Sequence, residues 1–246
     1  MLAITNLTVG YGRTDILKGL SVAFTPGHIT GIIGPNGAGK STLIKAILNL
    51  IKPHQGQILL NDTPVKQQLN QIAYVQQRAD LDLSFPIDVE HVVLTGVYPQ
   101  LKLFHDPTPA MHAAVDAAIA QVGLTDFKHR QFSALSGGQL QRVFVAWALV
   151  QQAQVLILDE PSVGIDLASE TQIMTILREL TAAGKTVIIV HHDLNKVTTY
   201  FDELVILNHG VVAAGPTTTV FNQTNIAQAF SEDLGQVLFI KEDQHG

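Results

Sequence analysis

The sequence contains no cysteine, so disulfides and thiolate metal sites are excluded outright. Charged residues make up only 15% of it and the net charge is −6, so there is no basic excess. Nucleic acids and anionic membrane surfaces are recognised by basic faces, so no nucleic-acid partner is expected. Long apolar runs are missing too. The longest, Val143 to Val150, falls far short of the roughly 18–20 residues that cross a bilayer, and reads as a buried helix segment. The opening Leu2-Ala3-Ile4-Thr5 has neither the basic region nor the long apolar stretch of a signal peptide. A cytoplasmic chain is therefore expected, with any membrane role running through a partner. What is present is a globular composition, 46% hydrophobic over 246 residues. That length suits one sizeable α/β domain and is short for two.

Short β-branched runs alternate with longer helical patterns, as in a mainly parallel sheet covered by helices. Strands are expected at Ile29–Ile33, Ile72–Val75, Val155–Leu158, Thr186–Val190 and Leu204–Leu207. After Asp166, the spacing of Ile173, Ile176, Leu177 and Leu180 predicts an amphipathic helix, which Gly184 ends. From about Arg78 to Val150 strand signals thin out and helical ones replace them, including the alanine-rich Met111–Val122. That stretch reads as a helical insertion in the α/β core. The tail beyond Phe221 is polar, with one short helix expected.

The strongest local signal is Gly34-Pro35-Asn36-Gly37-Ala38-Gly39-Lys40-Ser41, a complete phosphate-binding loop pattern. It follows an apolar strand and opens a helix expected at Ser41–Leu50, which is the context the pattern needs. Glycines let backbone N–H groups curl around phosphate oxygens, and the helix N-terminus adds partial positive charge. Lys40 supplies a full charge to the β and γ phosphates, and the Ser41 hydroxyl suits magnesium.

Val155-Leu156-Ile157-Leu158 leads into two adjacent carboxylates, Asp159 and Glu160. Ligands of parallel sheets bind at the carboxyl ends of strands, which puts this pair in the right place. Asp159 is suited to the magnesium shell and Glu160 to polarising an attacking water. A second such strand closes on His191-His192-Asp193, where either imidazole suits contact with a γ-phosphate.

Leu135-Ser136-Gly137-Gly138-Gln139 completes the pattern. With the loop, Asp159-Glu160 and His192 in this order, the chain resembles the ATPases of ATP-binding cassette (ABC) transporters, from Leu2 to about Phe221. Ser136 also suits a helix N-cap, whose N–H groups and dipole make a second phosphate cradle. The resemblance implies a P-loop NTPase core with a mainly parallel sheet, an N-terminal antiparallel β portion and an inserted helical subdomain. One ABC ATPase domain would span residues 1–230, with core at about 1–77 and 151–222, insertion at about 78–150, and a tail at 231–246.

It further implies a head-to-tail homodimer. ATP would lie between the loop of one copy (Gly34 to Ser41, and Thr42) and Ser136, Gly137, Gly138 and Gln139 of the other. Carried over by residue, Tyr11 stacks on adenine, and Gln77 touches magnesium together with Ser41 and Asp159. Glu160, His192, Gln77 and Lys40 are the catalytic set. Asp166 communicates across the dimer and also suits a helix N-cap. Two departures stand out: Gln76 occupies a position where many relatives carry proline, and Trp147 one where they usually carry arginine, which bears on local helix packing.

Within the family, Gln77-Arg78, Phe85-Pro86-Ile87-Asp88-Val89, Gly123-Leu124, Asp126-Phe127, Glu160 to Asp166 and the His191-His192 pair are similar to the ATPases of manganese, zinc and iron uptake systems. No metal-ligand pattern is visible, and His105 and His112 read as surface residues. The implied partners are a polytopic membrane permease and, indirectly, an extracytoplasmic metal-binding protein. The implied place is the cytoplasmic face of the plasma (inner) membrane, peripherally. Rival readings are an importer ATPase for iron chelate, haem or an amino acid, and a soluble ABC ATPase outside transport. The coiled coils or duplicated cassette usual in the latter are not seen in the sequence.

Overall fold

The computed structural model of the chain describes residues 1–76, 85–102, 104–231 and 238. Its first elements are β1 (Leu2–Tyr11), β2 (Thr14–Phe24), β3 (Ile29–Ile33), α1 (Lys40–Ile47), β4 (Gln55–Leu60) and β5 (Thr63–Pro64). Then come β6 (Ile72–Val75), α2 (Val89–Thr95), α3 (Pro109–Gln121), α4 (Gly137–Val150), β7 (Val155–Asp159) and α5 (Leu167–Ala182). The last are β8 (Thr186–Val190), α6 (Val197–Tyr200), β9 (Glu203–Leu207), β10 (Val211–Pro216), α7 (Thr217–Val220) and α8 (Gln223–Ala229). The chain divides into two compact units: Met1–Leu69 with Thr186–Gly246, and Asn70–Lys185.

The first unit holds an antiparallel sheet in the order β2-β1-β4-β5. Its central strand changes phase midway. Leu2 and Ile4 are buried, then Leu7 and Val9. A bulge absorbs the extra residue, with Asn6 at φ 49 and a register shift between Ile4 and Leu7. In the same unit β3 lies between β8 and β9 in parallel, and β10 pairs with β9 antiparallel. Every residue of β3 and β8 is buried, so neither strand alternates. α1 stops at Ile47, short of the expected Leu50, because Asn49 turns left-handed at φ 56.

The second unit pairs β6 with β7 in parallel, Ile72 opposite Val155. Around them α4 buries Leu140, Val143, Val145, Ala146, Ala148 and Val150, as its apolar run requires. The end of α2 approaches α4 at Gly96, where a Cβ would stand 2.5 Å from both the Trp147 carbonyl oxygen and Val150 Cγ2. α5 buries Ile173, Ile176 and Leu177, with Leu180 half-buried at the edge of the stripe. The architecture is α/β, with mainly parallel core strands, a separate antiparallel sheet and helices. Among the described residues, no helix is long and apolar enough to cross a membrane.

Candidate functional site

In the first unit, β3 runs directly into the glycine-rich loop. The Ala38 N–H donates to Pro35 O at 3.1 Å, and Leu43 N–H to Gly39 O at 2.8 Å closes the first turn of α1. Gly39 needs to be glycine twice over. Its φ is 101, and a Cβ would sit 2.5 Å from Leu17 Cδ2. As N-cap it also leaves α1 with no side-chain cap. Among the described residues, the other helices of seven residues or more begin under side chains: Asp88, Thr108, Ser136, Asp166 and Asn222. The positive end of the α1 dipole thus opens into the loop, which favours an anion there. Lys40 Nζ donates to Gly34 O at 2.7 Å and Pro35 O at 3.0 Å, so the loop carbonyls hold the ammonium at this spot. Asn36, Gly37 and Ser41 are exposed, and Thr42 is buried behind them.

Tyr11 ends β1 half-exposed, with Lys45 Nζ 3.4 Å from its hydroxyl and 5.8 Å from its ring centre. The two histidines after β8 part company. His191 is buried, its ring 5.6 Å from that of Phe201, whereas His192 is exposed. An imidazole must be exposed to reach a bound phosphate, so His192 is the one suited to the part.

In the second unit, β7 ends at Asp159, whose Oδ2 accepts a hydrogen bond from the Tyr74 hydroxyl at 3.3 Å. The next residue, Glu160, has φ 51, in the left-handed region that a non-glycine residue adopts at a cost of about 1–3 kcal/mol. Both carboxylates are half-buried.

Ser136 caps α4 through a capping box. The Gln139 N–H donates to Ser136 Oγ at 3.3 Å, and the Ser136 N–H donates to Gln139 Oε1 at 2.9 Å. Asp166 caps α5, accepting from the Ser169 N–H and the Ser169 hydroxyl, each at 2.9 Å. Those bonds, the backbone one first, hold the Asp166 carboxyl below its ordinary value. Gly138 packs against both residues. Neither Ser169 nor Tyr74 stood out in the sequence. A serine three places after a capping aspartate was the only signal for the first, and a tyrosine in a short strand reads as plain packing.

Trp147 is accommodated without disruption: its indole N–H donates to Thr95 Oγ1 at 3.0 Å. With Tyr74, Val92 and Phe144 it lines a cleft of about 310 Å³. His105 and His112 are exposed. Gln77 and Arg78 lie outside the described residues. The loop, Tyr11 and His192 belong to the first unit; Asp159, Glu160, Ser136–Gln139 and Asp166 belong to the second.

A family model described as ABC transporter matches residues 17–163. The manganese transport system ATP-binding protein MntB of Listeria monocytogenes is 45% identical over 231 residues, covering 94% of this chain and 96% of that protein. The zinc transport system ATP-binding protein TroB of Treponema pallidum is 41% identical over 245 residues, covering 98% and 92%. Among solved structures, cbiO1 from Clostridium perfringens, part of the ABC transporter complex cbiONQ, superposes with a TM-score of 0.80 at 30% identity, covering 96% of this chain and 98% of that one.

Proposed function

The chain belongs to the ABC transporter family, and from that premise we propose that it is the ATP-hydrolysing nucleotide-binding subunit of an importer for a transition metal ion: manganese, zinc or iron. One coincidence carries the reading. A helix without a side-chain cap opens behind a complete phosphate-binding loop, in a chain whose relatives over nearly its whole length include ATP-binding proteins of manganese and zinc transport systems.

In this reading the loop N–H groups from Gly34 to Thr42 cradle the triphosphate, and Lys40 exchanges its two carbonyl partners for β and γ oxygens. Tyr11 stacks on the adenine. Ser41, Gln77 and Asp159 would hold magnesium; hydroxyl, amide and carboxylate form an oxygen donor set suited to a hard cation. Once bound, magnesium offsets charge on the phosphates during transfer. Glu160 accepts a proton from the attacking water while the water oxygen bonds to the γ phosphorus. The bond from that phosphorus to the β–γ bridging oxygen breaks, and its electron pair leaves with ADP. His192 steadies the γ-phosphate and the water.

Ser136, Gly137, Gly138 and Gln139 of a second copy close over the same nucleotide, and Asp166 links the two sites of the head-to-tail homodimer. ATP drives closure only as far as it binds the closed state better than the open one. The helical segment of about 78–150 carries that closure to a polytopic permease, supplied by an extracytoplasmic metal-binding protein. The subunit itself sits peripherally on the cytoplasmic face of the membrane.

The direct test is phosphate release by the purified chain with ATP and magnesium. Release that Lys40→Ala abolishes is the expected result. A chain that neither binds nor hydrolyses ATP contradicts the reading.

A further inference from the structure

Two helix N-termini of the second unit meet through one small side chain. Gly138 lies in the first turn of α4, and a Cβ there would stand 2.2 Å from Ser169 Oγ, 2.6 Å from Ser169 Cβ and 3.1 Å from Asp166 Oδ2. Only a glycine allows this approach. Ser169, in the first turn of α5, is buried against it. Its N–H donates to Asp166 Oδ1 and its hydroxyl to Asp166 Oδ2. Both oxygens of Asp166 are therefore held by the residue that also fills the space over Gly138.

A carboxylate held by one bond still pivots about its last side-chain torsion; held at both oxygens it keeps one orientation. Since the same serine is wedged against the start of α4, the two segments cannot approach further, and parting them would open a void at Gly138. Charge-assisted bonds of this kind are the stronger ones, and fixing a surface beforehand spares ordering when it docks.

We propose that Ser169 is a positioning residue, locking the Ser136–Gln139 segment to Asp166 so that both are offered to a second copy as one preset block. This rests on the composite-site reading above. Ser169 touches no nucleotide in that reading; it acts through Gly138 and Asp166.

The test uses the full chain carrying Glu160→Gln, titrated with magnesium and ATP and followed by sedimentation velocity. Adding Ser169→Ala raises the ATP concentration at half-dimerisation about tenfold, while the monomer binds a fluorescent ATP analogue as the parent does. Ser169→Thr keeps the hydroxyl and restores the parent midpoint. When Asp166→Ala is already present, Ser169→Ala adds nothing, since the two belong to one network. Should Ser169→Ala fail to fold, Ser169→Cys, with its weaker donor, is read in its place. Dimerisation of the Ala variant at the parent's ATP concentration overturns the proposal. So does an effect that Thr leaves unrescued, or one additive with Asp166→Ala. A Glu160→Gln parent that stays monomeric at saturating ATP is a separate failure, which removes the composite site and this proposal with it.

Discussion

The Tyr74 hydroxyl donates to Asp159 Oδ2 at 3.3 Å, from β6 to its parallel neighbour β7. A carboxylate in a metal shell is oriented by such outer partners, and losing one typically costs about 10–100-fold in metal affinity. Tyr74→Phe removes only the hydroxyl. The magnesium concentration that half-saturates ATP hydrolysis is expected to rise about tenfold, with little change in thermal midpoint. An unchanged magnesium dependence would contradict the role given to Asp159.

Glu160 combines a strained backbone with the proposed base. Glu160→Gly and Glu160→Ala both remove the carboxylate, but only glycine takes φ 51 freely. The glycine variant should be the more stable by about 1 kcal/mol, roughly 2–4 °C in Tm for a chain of this size. Both should lose about 100-fold or more in turnover. Equal melting of the two variants would show that no strain is stored there.

At Gly39 the constraint is steric. Alanine meets both the φ of 101 and Leu17 Cδ2. Gly39→Ala should lower stability by about 1–3 kcal/mol and abolish ATP binding, read by calorimetric melting and nucleotide titration. Normal ATP affinity in this variant would mean that the loop is not the phosphate site.

The Asp166 carboxyl is held below its ordinary value, first by the Ser169 N–H and then by the Ser169 hydroxyl. A depressed carboxyl stabilises the fold above its unfolded pKa of about 3.9, and that contribution fades as pH falls through the folded value. In Ser169→Ala the hydroxyl bond is gone, so Asp166 should titrate at higher pH than in the parent. Side-chain carboxyl NMR shifts followed from pH 6 downward give the comparison, and coincident curves would count against the bond.

How legible each part was depended on whether its signal was contiguous. β3 and β8 are buried along their whole length, so they read as short β-branched runs without alternation, and their expected ends agree with the structure. β1 escaped a direct reading because its bulge at Asn6 moves the buried set from Leu2 and Ile4 to Leu7 and Val9. Strict alternation fails across that step. The glycine-rich loop stood out because its residues adjoin in sequence. Gly138 against Ser169, and Tyr74 against Asp159, did not: each pair depends on how separate elements pack or register. Trp147 in place of the usual arginine bears on local helix packing, and Thr95 accommodates it by accepting the indole N–H. That partner comes from α2, which no local pattern around Trp147 reveals.

Metal import by this chain is read directly from total cellular manganese, zinc and iron in metal-poor medium. The cells compared carry the gene intact, deleted, or altered to Lys40→Ala. A selective fall in one metal is expected on deletion, reproduced in full by Lys40→Ala if import needs ATP at this loop. Unchanged metals in both altered strains would contradict it, leaving a family member that moves something else.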